Sequence, residues 1–225
     1  AASSDASLSA IATSEIAMKN RIKSPKLVIV LLLAANTDLL AQSDDSKSSI
    51  PVEVQTLRRQ GYGAASIGGD GGQVAWVTNL KDSGPGSLRA ALRIQEPRIV
   101  KFKVGGVIEL EKPLTVEFGR VTIDGLSASA QGGITVQGGF HIRGCEDVIV
   151  RHIRSRGGYD TLLILHSRRV LIDHVSTAWA LDENTDVWDS RDVTLAWCIV
   201  AEGAVEGHHE GIHSMGSLQA GGTAR

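Results

Sequence analysis

Four acidic residues fall at spacings that can gather them around one cation. Asp160 and Asp182 are 22 residues apart, Glu183 adjoins Asp182, and Asp186 follows four residues after Asp182. If the chain winds with a period near 22, Asp160 and Asp182 lie side by side on adjacent coils, about 5 Å apart between backbones. Carboxylates held that close repel one another unless a cation sits among them. Calcium suits such a patch, because it takes six to eight oxygen ligands in irregular geometry. Any one of these residues alone reads as a solvated turn residue, a common place for aspartate. The set at this spacing is what points to a metal.

Other residue types suggest other chemistry. His208, His209 and His213 cluster late in the chain with Glu202, Glu206 and Glu210, a composition that raises zinc, but the spacing matches no zinc motif. Asp173 and His174 read as a structural pair, bonding from coil to coil as a side-chain ladder. Trp179, Trp188 and Trp197 are candidate platforms for sugar faces. Trp197 follows an apolar strand and is expected to pack inside.

The elements that must position these groups repeat along the chain. Four segments share one opening, a charged residue followed by valine: Arg120-Val121, Asp147-Val148, Arg169-Val170 and Asp192-Val193. The valines are spaced 27, 22 and 23 residues apart. Strand-like runs lie between them at Ile134–Gln137, Leu162–Leu165 and Asp186–Trp188, punctuated by Gly, Ser and Asp. A period near 22 with several strands per unit predicts an all-β solenoid, a right-handed single-stranded parallel β-helix. A β-sandwich would not make residues 22 apart share a character, as Arg151-His152 and Asp173-His174 do. One helix is expected before the coils. Ser87 is its N-cap, Leu88, Ala91 and Leu92 form its apolar stripe, and Pro97 ends it; it is positioned to cap the first coil.

Composition agrees with many short strands and tight turns. The chain has 225 residues, 25 of them glycine, and only 4% are aromatic. Net charge is −2, which gives no electrostatic case for nucleic acid. Two cysteines cannot build a disulfide scaffold. Cys145 and Cys198 fall about two coils or ~10 Å apart, beyond the ~7 Å that a bridge allows between Cα atoms. Both are expected to be unpaired and largely buried.

The first 58 residues read as address and linker. Met18 is followed by Lys19, Arg21, Lys23 and Lys26, then by the nine apolar residues Leu27–Ala35. A basic start before a short apolar run is a secretory signal pattern. As a helix, nine residues rise only about 14 Å, too short to span a bilayer. The expectation is upstream residues at 1–17, a signal peptide at 18–42 cleaved near Ala41 or Gln42, a polar linker at 43–58, and the β-helix domain from 59 to 225. The product would be secreted, monomeric and free of the membrane after signal removal.

Several segments carry a resemblance. Gly61-Tyr62-Gly63, the glycines of 68–72, Val77 to Leu92, Val121 to Gly125, Val170 to Trp179, Leu181-Asp182-Glu183, Val193 to Gly203 and His213 to Leu218 together resemble secreted pectate lyase-like proteins, polysaccharide lyase family 1. The resemblance runs from about residue 61 to the end, and its fold is the same right-handed β-helix. It implies cleavage of α-1,4-galacturonan by β-elimination: a base takes the C5 proton of a uronate and the glycosidic oxygen leaves from C4. It implies a Ca2+ cofactor on Asp160, Asp182 and Asp186, with Glu183 as a further ligand, and polygalacturonate as the partner. It implies substrate contacts from His213 and Trp188.

Two departures from the family stand out. Met215 occupies the place of a lysine in a His-Ser-Lys-Gly pattern, and methionine cannot bind an anion. The family's base, an arginine in an Arg-x-Pro-x-Arg-like segment, has no counterpart here; it is expected beyond Arg225. On that reading the chain is a truncated piece, its domain incomplete and unable to catalyse elimination alone. The alternative is a non-catalytic carbohydrate-binding β-helix. A polygalacturonase-type hydrolase is echoed by Asn184-Thr185-Asp186 and Gly207-His208-His209, but it needs an aspartate pair one coil later, where His208 stands.

Overall fold

The structure, a computed structural model, describes residues 61–211, 213 and 215–221, all within the compact unit Ile50–Arg225. The signal peptide and linker expected over residues 1–58 lie outside the described residues.

Alternating apolar residues form three stacks of short parallel strands. The first is a six-stranded sheet of β1 (Gln73–Val77), β2 (Arg98–Phe102), β5 (Val121–Asp124), β8 (Glu146–Arg151), β11 (Arg168–Asp173) and β14 (Arg191–Ala196). The second holds β3 (Gly106–Glu109), β6 (Ile134–Gln137), β9 (Ile153–Arg156), β12 (Ser176–Ala178) and β15 (Ile199–Val200). The third holds β4 (Leu114–Val116), β7 (Phe140–Arg143), β10 (Leu162–Leu165), β13 (Glu183–Trp188) and β16 (Met215–Ala220). Each coil contributes one strand to each sheet, as a parallel β-helix requires. The four charged-valine segments become β5, β8, β11 and β14, and Val121, Val148, Val170 and Val193 pair in one column.

Period-2 alternation turns one face of every strand inward. In the first sheet the inward column is Val100, Ile123, Val150, Ile172 and Leu195; in the third it is Val116, Ile142, Ile164 and Val187. Each fully buried aliphatic contributes about 1.5–3 kcal/mol, so the stacked columns form the core. The charged residue before each valine bends the chain into the sheet. Arg120, Asp147, Arg169 and Asp192 all have left-handed backbone, with φ of 48°, 58°, 52° and 55°. That conformation costs a non-glycine residue about 1–2 kcal/mol. Part of the cost is offset between coils: Arg169 makes a double hydrogen bond to Asp147, at 2.9 and 2.7 Å, and a further one to Glu146 at 2.8 Å.

The expected helix is present as α1 (Leu88–Leu92), with the Ser87 side chain accepting from Ala90 N–H and with Leu88, Ala91 and Leu92 buried. It ends at Leu92 rather than running to Pro97. Arg98, fully buried, takes over its C-terminal end: the guanidinium donates to the carbonyls of Ala91, Leu92, Glu96, Phe118 and Gly119. β1 and this buried arginine were not anticipated from the sequence. The glycine-rich segment 61–72 lies flat across the first sheet, where Gly63 N–H bonds Thr194 Oγ1 and Gly69 N–H bonds Thr122 Oγ1. A side chain at Gly69 would collide with the Arg98 carbonyl, which is why glycine stands there.

Three expectations change. Trp197 lies outside, 74% exposed, because it continues an external ring stack: His152 and His174 stack at 4.8 Å, and His174 and Trp197 at 6.3 Å. Asp173 and His174 bond to each other, Oδ1 to Nδ1 at 2.7 Å, so contact between coils comes from the stacked rings rather than from that hydrogen bond. The cysteines are free, but Cys198 is only half-buried. They sit at different corners of the coil, Cys145 beside Ser167 and Cys198 just after β14, so more than coil number separates them.

Candidate functional site

The acidic residues sit where the second sheet turns into the third. Gly157 and Gly158 end β9 with φ of 62° and 96°, and Tyr159 and Asp160 follow on the turn. One coil later, Asp182 closes the turn between β12 and β13, and Glu183 opens β13. The two turns stack, with Leu181 N–H on Gly158 O at 3.0 Å and Asp182 N–H on Tyr159 O at 2.9 Å. A Cβ at Gly158 would press into the Gly139 backbone, so glycine there lets the turns pack closely. Asn184 holds the later turn from inside, its Oδ1 accepting from Ala180 N–H and its Nδ2 donating to Ala201 O, each at 2.9 Å. Met215 N–H donates to Asp182 O at 3.2 Å and ties the next coil to the same place.

On this scaffold Asp160, Asp182 and Glu183 each bring a carboxylate oxygen within 4.8 Å of the others. The register that does this is not the expected 22. Leu163 pairs with Asp186 at an offset of 23, and the same offset puts Glu183, not Asp182, opposite Asp160. Asp182 joins the group from the turn. Asp186 lies outside that trio but within its field. It is buried, its Oδ1 has no hydrogen-bond partner among the described residues, and its strand-register neighbour is Leu163.

The electrostatics record the crowding. Burial, then the charges of Asp182 and Asp160, push the Glu183 carboxyl up to about 7. Burial and the same neighbours, Asp160 first, push Asp186 up to about 6. Asp160 is raised by burial and then by Asp182. Buried carboxylates that hold protons near neutrality, beside an orphaned carboxylate oxygen, are groups that a hard cation would satisfy. The donor set therefore fits calcium.

A second group meets the first at Asp182. His213 Nε2 is 3.0 Å from Asp182 Oδ1, and His208 Nε2 is 3.7 Å from Asp182 Oδ2. Tyr159 Oη is 2.7 Å from His208 Nε2, and the His208 and His213 rings stack at 3.9 Å. His209 flanks this group, its ring 4.3 Å from His208 and 6.3 Å from Tyr159 between centroids, and is exposed beside Glu210. Sequence spacing hid the cluster because its carboxylate comes from the preceding coil.

The remaining candidates are dispersed. Trp188 ends β13, 44% exposed, five strand steps or about 16 Å from Glu183. Trp179 donates from Nε1 to Glu202 and lies over Arg156. Met215 is in register with Glu183 on the next coil, 41% exposed. Tyr159 is the site residue that the sequence reading missed; its only signal was adjacency to Asp160.

The chain is 44% identical over 152 residues to "Probable pectate lyase C" of Aspergillus fumigatus, covering 64% of this chain and 36% of that protein. It is 40% identical over 171 residues to the Aspergillus terreus protein of the same name, covering 72% and 39%. It is 34% identical over 141 residues to "Probable pectate lyase 1" of Arabidopsis thaliana, covering 52% and 32%. The chain thus spans less than two fifths of the length of these relatives. No family model matches it. Among solved structures, the cedar pollen major allergen Jun a 1 superposes with a TM-score of 0.55 at 23% identity, covering 60% of this chain and 46% of that one, and it shares the fold.

Proposed function

We propose, taking kinship with pectate lyases as the premise, that this protein acts on α-1,4-galacturonan by calcium-dependent β-elimination. The observation that carries the reading is the convergence of Asp160, Asp182 and Glu183, from two coils, onto one point. These three would hold the cation, with Asp186 behind them. When bound there, calcium would neutralise the uronate carboxylate and so favour loss of the C5 proton.

The chain's own residues set the conditions for this. Asn184 and the stacked turns fix the carboxylates before any ligand arrives, so little ordering remains to be done on binding. His213, with Nε2 3.0 Å from Asp182 Oδ1, is the histidine assigned here to contact a bound uronate. No described residue is assigned the proton abstraction. Elimination is the proposed activity of the whole protein. A secreted location belongs to the same proposal; among the described residues no helix is long and apolar enough to cross a membrane.

One observation favours a second reading. Met215 puts a thioether beside Glu183, where an anionic sugar would be served by a cation, so a carbohydrate binder without catalysis is the alternative. Incubation with polygalacturonate separates the two. A lyase yields an ultraviolet-absorbing unsaturated product that disappears with chelator; a binder retains the polymer and yields none. Asp182→Ala should lower calcium affinity in a direct titration. Unchanged affinity would refute the assignment of these residues under either reading.

A further inference from the structure

We infer that Asp182, His208 and His213 form a second cation site, one for a borderline metal of the zinc class, adjoining the acidic group and sharing Asp182 with it. The inference stands apart from the calcium reading, since it rests on imidazoles that a hard cation does not select. Each of the three residues presents one ligand atom within 4.8 Å of the other two. The separations of 3.0 Å from His213 Nε2 and 3.7 Å from His208 Nε2 to the Asp182 oxygens bracket the roughly 3.3 Å between ligands of a tetrahedral metal with bonds of about 2.0–2.1 Å. Two imidazoles and one carboxylate leave a fourth position open, and Tyr159 Oη, 2.7 Å from His208 Nε2, borders it.

The site is built rather than incidental. The His208 side chain is 2% exposed and Asp182 is 17% exposed, so both are largely withdrawn from water before any metal arrives. The rings of His208 and His213 lie nearly parallel, 3.9 Å between centroids and 25° apart, so a metal held by both must part the stack and turn each ring plane toward itself. Two contacts oppose occupation: Tyr159 Oη is hydrogen-bonded to His208 Nε2 at 2.7 Å, and Glu210 N–H donates to His208 Nδ1 at 3.2 Å, which leaves the proton on Nε2. Metal binding at Nε2 moves that proton and breaks both bonds. Neutral hydrogen bonds of this kind are small against a coordinate bond.

The test uses the intact chain stripped of metal. Zn2+ should titrate with one site that survives saturating Ca2+, and Co2+ should give the visible bands of tetrahedral nitrogen–oxygen ligation. His213→Gln, at a half-buried position, should weaken Zn2+ at least about tenfold and abolish the cobalt bands. Glu183→Gln should weaken Ca2+ and leave the cobalt bands intact. Absence of cobalt bands in the unaltered chain overturns the inference without any variant. So does Zn2+ binding that His213→Gln leaves unchanged while Glu183→Gln removes it, since the ion would then be in the acidic group.

Discussion

Glu183 on β13 lies in register with Met215 on β16. The residue in register there is a neutral thioether, which does not offset the charges that raise the carboxyl. Met215→Lys would place a cation about one strand spacing, 4.8 Å, away. The lysine should pull the Glu183 carboxyl back toward its ordinary range and compete with a bound cation, weakening Ca2+ about threefold to tenfold. Isothermal titration at fixed salt reads the change; equal or tighter affinity would mean that the two side chains do not face each other.

The raised carboxyls make stability depend on pH. Glu183 titrates near 7 in the folded chain against 4.5 ordinarily, and Asp186 near 6 against 3.8. Between those values the folded state holds protons that the unfolded chain has released, so metal-free stability should fall as pH rises from about 4 to about 7. Thermal melts across this range should show the decline, and saturating Ca2+ should remove it. A metal-free melting temperature that climbs through the same window would contradict the crowding.

Glu183→Gln keeps the shape of the side chain and removes its charge. It should abolish most Ca2+ binding, yet raise the metal-free melting temperature at neutral pH by a few degrees, because one of three mutually repelling carboxylates is gone. Opposite signs for binding and stability mark a functional cluster, whereas a merely structural carboxylate would lose both.

Arg98 is the largest fully buried side chain among the described residues, and it donates to five carbonyls, two of them at the end of α1. Arg98→Leu leaves these acceptors unpaired around an apolar group and should cost about 3–5 kcal/mol, read from urea unfolding. A loss below about 1 kcal/mol would mean that water replaces the guanidinium.

Much of the architecture was legible because a β-helix writes itself into period. Val121, Val148, Val170 and Val193 declared their column, since each must face inward one coil above the last. The charged residue before each valine was visible as a pattern, but not as the left-handed turn it makes. Arg98 could not be read, because an arginine after a proline looks like any surface cation until the carbonyls around it are placed.

The amino-acid order alone determined that the chain winds into stacked coils and that acids recur near one corner, because strand alternation and repeat length are local properties. Which acids meet was decided by tertiary structure. The third sheet pairs Leu163 with Asp186 at 23 residues, so Glu183 comes opposite Asp160 and Asp182 reaches in from the turn. The histidines were decided there too. His208 and His213 find their carboxylate on the preceding coil, and no spacing within one segment can encode a partner that only coil stacking brings near.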